Sequence, residues 1–74
     1  MKITYDSVAD ASYIYLVDHI KRGEVARTEV SGVHLDRAAV ALDFDEAGKL
    51  LGIEILGAAR VLSQEKLASA KQLD

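Results

Sequence analysis

The chain contains no cysteine, no proline and no tryptophan, and of its 74 residues only Tyr5, Tyr13, Tyr15 and Phe44 are aromatic. Without cysteine there is neither a disulfide scaffold nor a zinc site built on thiolates. Positive charge is in short supply as well. Nine Lys and Arg face twelve Asp and Glu, for a net charge of −3, which argues against a nucleic-acid binder that must displace counterions. No apolar run approaches the roughly 18 residues of a membrane span. No basic stretch leading into an apolar one opens the chain, so no signal peptide is expected. The five glycines stand singly at 23, 32, 48, 52 and 57, which leaves no glycine-rich phosphate loop. These absences point to a soluble, cytoplasmic protein with no membrane and no nucleic acid among its partners.

What is present is apolar. Half of the residues are hydrophobic, too many for a disordered polymer at so small a net charge. The length fits one domain, residues 1–74. A domain this short buries only about 60% of its unfolded surface. With disulfides and thiolate-bound metal unavailable, oligomerisation is the remaining way to stabilise it.

Lys2-Ile3-Thr4-Tyr5 alternates with period two and predicts a short strand, followed by a turn in which Asp6 and Ser7 bond their own backbone. Tyr13-Ile14-Tyr15-Leu16-Val17 predicts a second strand, apolar on both faces and therefore central. Val25 to Val30, carrying Arg27 and Glu29, reads as a polar strand suited to an edge. Val33 to Arg37 fits strand or loop. Val40, Leu42 and Phe44 alternate with Ala41, Asp43 and Asp45 in the clearest strand of the chain. Glu46-Ala47-Gly48 then predicts a three-residue hairpin closed by a left-handed glycine. The return strand sets Leu51, Ile53 and Ile55 against Gly52, Glu54 and Leu56. Beyond Ala58 the pattern predicts two short helices, about 58–62 and 64–71, with Ser63 as the second N-cap and Leu67 and Ala70 buried. The expected fold class is α+β: an antiparallel β-meander of four or five strands followed by one or two short C-terminal helices.

Asp43-Phe44-Asp45-Glu46-Ala47-Gly48, followed by five residues and then Glu54, approximates a calcium loop. Ala47 removes one oxygen ligand, and the flanks alternate as strands where helices are required. A hairpin with outward carboxylates is the stronger reading. His19 and His34 have no spacing that forces them onto one metal. None of Ser7, Ser12, Ser31, Ser63 and Ser69 occupies a strained glycine elbow. No catalytic residue, metal ligand or cofactor site is therefore assigned. Tyr13 and Tyr15 share a strand face with Val17, and tyrosine is enriched at interfaces.

Tyr5-Asp6, Ala9-Asp10-Ala11, Tyr13-Ile14 and Leu16, together with Asp43-Phe44-Asp45-Glu46-Ala47-Gly48-Lys49-Leu50 and Gly52-Ile53-Glu54-Ile55-Leu56, form a recognisable pattern. Over roughly residues 1 to 62 it resembles a small bacterial family, the domain of unknown function numbered 2283. Ser7 and Ser63 stand where proline is frequent in that family, and Val33 to Ala39 lengthens the middle. The resemblance implies a β-rich mini-domain without assigned catalytic residues. It also implies a toxin-like protein as a possible partner in an antitoxin role.

The expected function is a non-enzymatic module that self-associates as a homodimer or binds a protein partner. Tyr13, Tyr15 and Val17, or else Ile14 and Leu16, are the expected contact, with the C-terminal helices over the opposite face. The alternative is a small metal-dependent hydrolase using Asp43, Asp45 and Glu54 of the 43–54 hairpin with His34.

Overall fold

The computed structural model describes residues 1–32 and 35–73. Its strands are β1 (Lys2–Asp6), β2 (Ala11–Tyr15), β3 (Arg27–Val30), β4 (Ala39–Phe44), β5 (Leu50–Leu56) and β6 (Lys71–Gln72). A 3-10 turn (Ala58–Arg60) and one helix, α1 (Gln64–Ser69), separate β5 from β6. The α+β class holds, but the sheet has six strands in the order β3-β4-β5-β2-β1-β6.

Two features depart from the expected antiparallel meander. The β1–β2 hairpin docks on β5, leaving β3 as the far edge, and β6 pairs parallel to β1. The parallel pairing follows from the route of the chain. β5, β1 and β6 run the same way, so the return from β5 must cross over β2 and β1. The 3-10 turn and α1 make that crossover. Two residues of strand carry too little pattern to be legible in the sequence.

Strand β2 begins at Ala11, two residues earlier than expected, and ends at Tyr15. Ser12 lies outside the strand expected from Tyr13 to Val17. Inside the sheet its hydroxyl donates to the Thr4 carbonyl at 2.8 Å, which allows it to be buried. Leu16 still donates its N–H to the Leu51 carbonyl, whereas Val17 lies in the bend that leaves the ladder. The helical segments are shorter than expected. Ser63 is the N-cap, its hydroxyl accepting from the Lys66 N–H at 3.1 Å. Ala70 is buried, and Leu67 only half so. Of the ambiguous segment, Val33 and His34 lie outside the described residues, and Asp36–Arg37 form a turn.

The 43–54 hairpin forms as expected. The Gly48 N–H donates to the Asp45 carbonyl at 3.0 Å, the Asp45 N–H donates to the Lys49 carbonyl at 2.9 Å, and Gly48 has φ of 82°. A bulge at Asp43/Phe44 shifts the register beside it.

Pairing assigns the two faces. Ile3, Ile14, Ile53 and Leu42 lie opposite one another across β1, β2, β5 and β4, followed by Glu29 on β3. On the same face, Tyr5, Ser12, Ile55 and Val40 make the next row. Thr4, Tyr13, Glu54 and Ala41 define the opposite face, with Lys2, Tyr15, Gly52 and Asp43 beside them. Crossover and aliphatic row share a side, because Tyr5 lines a hollow with Ala59, Leu67 and Ala68. Among the described residues the buried apolar ones are few: Leu51 and Ile55, each 3% exposed, with Ala58 and Ala70. Ile3, Ile14, Ile53 and Leu42 are all left half-buried.

Candidate functional site

Three clusters of polar side chains are organised by the sheet. The first is a strip across the face opposite the crossover. Tyr13 on β2 reaches over the intervening β5 to donate its hydroxyl to Asp43 Oδ2 on β4 at 2.7 Å. Thr28 on β3 donates to the other oxygen, Oδ1, at 2.5 Å. Both oxygens of the Asp43 carboxylate are thus held by hydroxyl donors. Burial raises the Tyr13 pKa above its ordinary 10.0, and the hydrogen bond to Asp43 and the nearby negative charge push the same way. Tyr13 meets Tyr15 edge to face, with ring centroids 4.7 Å apart. The Lys2 ammonium lies 4.2 Å from the Tyr15 ring centroid.

Gly52 makes this strip possible. A methyl group added at its Cα would come within 2.5 Å of the Tyr13 hydroxyl oxygen and 2.6 Å of ring carbon Cε2. In the sequence Gly52 stands in an alternating strand and at the head of the Gly52-Ile53-Glu54-Ile55-Leu56 block, with nothing to link it to Tyr13. Its role was invisible because Tyr13 and Gly52 are 39 positions apart in the chain.

The second cluster is centred on Asp10, which has φ of 52°. Its Oδ1 accepts from the Tyr5 hydroxyl at 2.8 Å and from the Ala59 N–H at 3.0 Å. Its carbonyl accepts from the Gly57 and Ala58 N–H groups, each at 3.0 Å. Asp10 therefore ties the β1–β2 turn to the start of the crossover. The motif Ala9-Asp10-Ala11 was legible in the sequence, but its partner segment was not.

The third cluster is the hairpin carboxylates of the calcium-loop and hydrolase readings. Asp45 Oδ1 accepts from the Ala47 N–H at 2.9 Å and the Lys49 N–H at 2.8 Å, so it caps the turn. Asp43 is engaged by Tyr13 and Thr28, and Glu54 is exposed on its strand. The segments flanking the loop are strands, which overturns the calcium-loop geometry. Among the described residues no three His, Cys, Asp or Glu converge on a common point. His34, the histidine of the hydrolase alternative, lies outside the described residues. Of the serines, Ser63 and Ser69 spend their hydroxyls on local backbone groups and Ser12 on the Thr4 carbonyl of the neighbouring strand.

The expected contact residues separate. Tyr13 and Tyr15 share the polar strip, and Val17 lines a hollow with Met1, Lys2 and Leu16 beyond the end of β2. Ile14 belongs to the aliphatic row on the other face. No helix of the described chain is long and apolar enough to cross a membrane.

A family model described as protein of unknown function (DUF2283) matches residues 2–58. The match takes in β1 to β5 and stops as the crossover begins. No curated protein and no solved structure matches the chain.

Proposed function

We propose that this chain, which belongs to the DUF2283 family, is a non-enzymatic interaction module whose working surface is the aliphatic face of its sheet and whose first partner is a second copy of itself. The observation that carries this reading is a shortage of cover. The folded chain exposes 5209 Å², whereas a monomer of 8.0 kDa is expected to expose about 4,450 Å². The difference, about 750 Å², is close to the roughly 800 Å² that each partner contributes to an interface of standard size. The flatness agrees. The radius of gyration is 12.3 Å, against about 11.3 Å for a compact chain of this length.

The aliphatic face is the better candidate for that contact, although the crossover lies on this side and not opposite it as expected: the crossover packs beside Tyr5 and leaves Ile3, Ile14, Ile53 and Leu42 half-buried. Ile3, Ile14, Ile53 and Leu42 form an unbroken row of branched side chains without a polar group to satisfy. On the other face, Tyr13 and Tyr15 already have Asp43 and Lys2 as partners, and both would have to be partly desolvated. A two-fold contact suits a row of this kind, since one patch can serve both copies.

Light scattering after size exclusion tests the reading. A mass above 8.0 kDa is expected at micromolar concentration. Ile14→Thr and Leu42→Thr, which place a β-branched strand former at each position, should lower it while circular dichroism stays native. Tyr15→Ser, on the polar face, should leave it unchanged. A monomeric wild type overturns the module, and a loss of association only with Tyr15→Ser moves the interface to the tyrosine face.

A further inference from the structure

Strand β3 is an edge with all four residues exposed, Val30 at 72%. An uncovered edge presents a row of unpaired backbone donors and acceptors and can accept another strand. Which groups it offers follows from the ladder with β4. The Ser31 N–H donates to the Val40 carbonyl at 2.7 Å, so Glu29 and Ser31 turn their backbone groups toward β4. Alternation then turns those of Thr28 and Val30 outward.

We infer that β3 pairs antiparallel with β3 of a second copy, about a two-fold axis through Thr28, extending the sheet from one chain into the next. Charge selects this register. With the axis at Thr28, the outward groups of the two Thr28 residues bond one another, and Arg27 of each chain stands opposite Glu29 of the other. Those two pairs occupy the closely spaced, non-hydrogen-bonded positions, where opposite charges attract. Moving the axis to Glu29 sets the two glutamates directly opposite each other, and moving it to Arg27 does the same with the arginines. Both arrangements are repulsive. An axis between residues brings an outward-facing residue opposite an inward-facing one and forms no ladder. Within one chain Arg27 Nε and Glu29 Oε1 are 3.1 Å apart with side chains more than half exposed, and the Arg27 guanidinium lies 4.5 Å from the Phe44 ring centroid; exposed contacts of these kinds are weak, and a stacked guanidinium still has donors at its edge for a partner's carboxylate.

The same charges explain how an exposed edge avoids indiscriminate pairing. Like charges reject the registers centred on Arg27 and on Glu29, and a register centred on Val30, which sets Glu29 opposite Ser31, gains no opposite-charge pair. This surface is separate from the aliphatic face. A dyad perpendicular to the sheet places both aliphatic faces on the same side, free for the contact proposed above. Where the two kinds of axis meet at right angles, the assembly closes as a tetramer.

The absence of cysteine makes the test clean. In Thr28→Cys the two thiols would face each other at the about 5.5 Å Cα separation of a hydrogen-bonded pair, within disulfide range. Mild oxidation with diamide, which takes up the two electrons and two protons, should give a covalent dimer. In Val30→Cys the two thiols fall about four residues apart along the strands, beyond reach, and should stay reduced. Arg27→Glu should lower the mass in light scattering by half, and Arg27→Glu combined with Glu29→Arg should restore it. A Val30→Cys dimer without a Thr28→Cys dimer overturns the register, and failure of both to cross-link overturns edge pairing. Neither result depends on the aliphatic face, whose own variants, Ile14→Thr and Leu42→Thr, should leave the Thr28→Cys dimer intact.

Discussion

The Tyr13 side chain spans Gly52 to donate its hydroxyl to Asp43 at 2.7 Å, so a residue of β2 is bonded to one of β4 across the strand between them. The bond requires that the intervening position have no side chain. Gly52→Ala should therefore displace the ring and destabilise the fold by about 1–3 kcal/mol, as overpacking does. Urea denaturation measures this. The cost should fall in a Tyr13→Ala background, where the clash is gone. Equal costs in the two backgrounds would mean that Gly52 is needed for some other reason.

The same hydroxyl sets an alkaline limit on stability. The folded pKa of Tyr13 is raised by burial and by Asp43, while the unfolded chain ionises it at about 10. The unfolded state then binds fewer protons than the native one, so stability falls as pH rises. The contribution is fully present below about pH 10 and is lost as pH climbs through the folded value. Unfolding free energies from pH 8 to 11 should decline more steeply for wild type than for Tyr13→Phe. Parallel curves would contradict the assignment.

Asp10 combines a left-handed backbone with a carboxylate that accepts from Tyr5 and Ala59. Asp10→Ala should cost about 2 kcal/mol, from strain at positive φ and from the lost hydrogen bonds. Asn tolerates the conformation and retains an acceptor oxygen, so Asp10→Asn should cost less than half as much. Thermal unfolding midpoints check the ranking. Equal losses would show that charge, not geometry, holds the crossover.

In the hairpin, Gly48→Ala should cost about 1–2 kcal/mol, because φ of 82° is unfavourable for a residue with a Cβ. Asp45→Ala should be of similar size, about 1 kcal/mol, since its carboxylate caps two loop N–H groups. An unchanged melting temperature in Gly48→Ala would show that the turn tolerates another shape.

How far the sequence carries can be seen in single residues. Val40, Leu42 and Phe44 specified β4 because period-two alternation is a local property, and Gly48 specified the turn because few residues adopt positive φ. Ser63 marked the start of α1 by its own cap. Ser12, which stands outside the strand expected from Tyr13, joins β2 because its hydroxyl is satisfied by a carbonyl on another strand.

Local pattern was enough for the strands with strong alternation, for the hairpin and for the edge character of β3. All of these rest on local periodicity, backbone preference or composition. Only the tertiary structure decided that β2 inserts beside β5, that β6 adds parallel to β1, and that Gly52, Tyr13, Asp43 and Thr28 form one strip. Those relationships depend on which strands become neighbours. Alternation fixes which way a side chain points and leaves open what lies beside it.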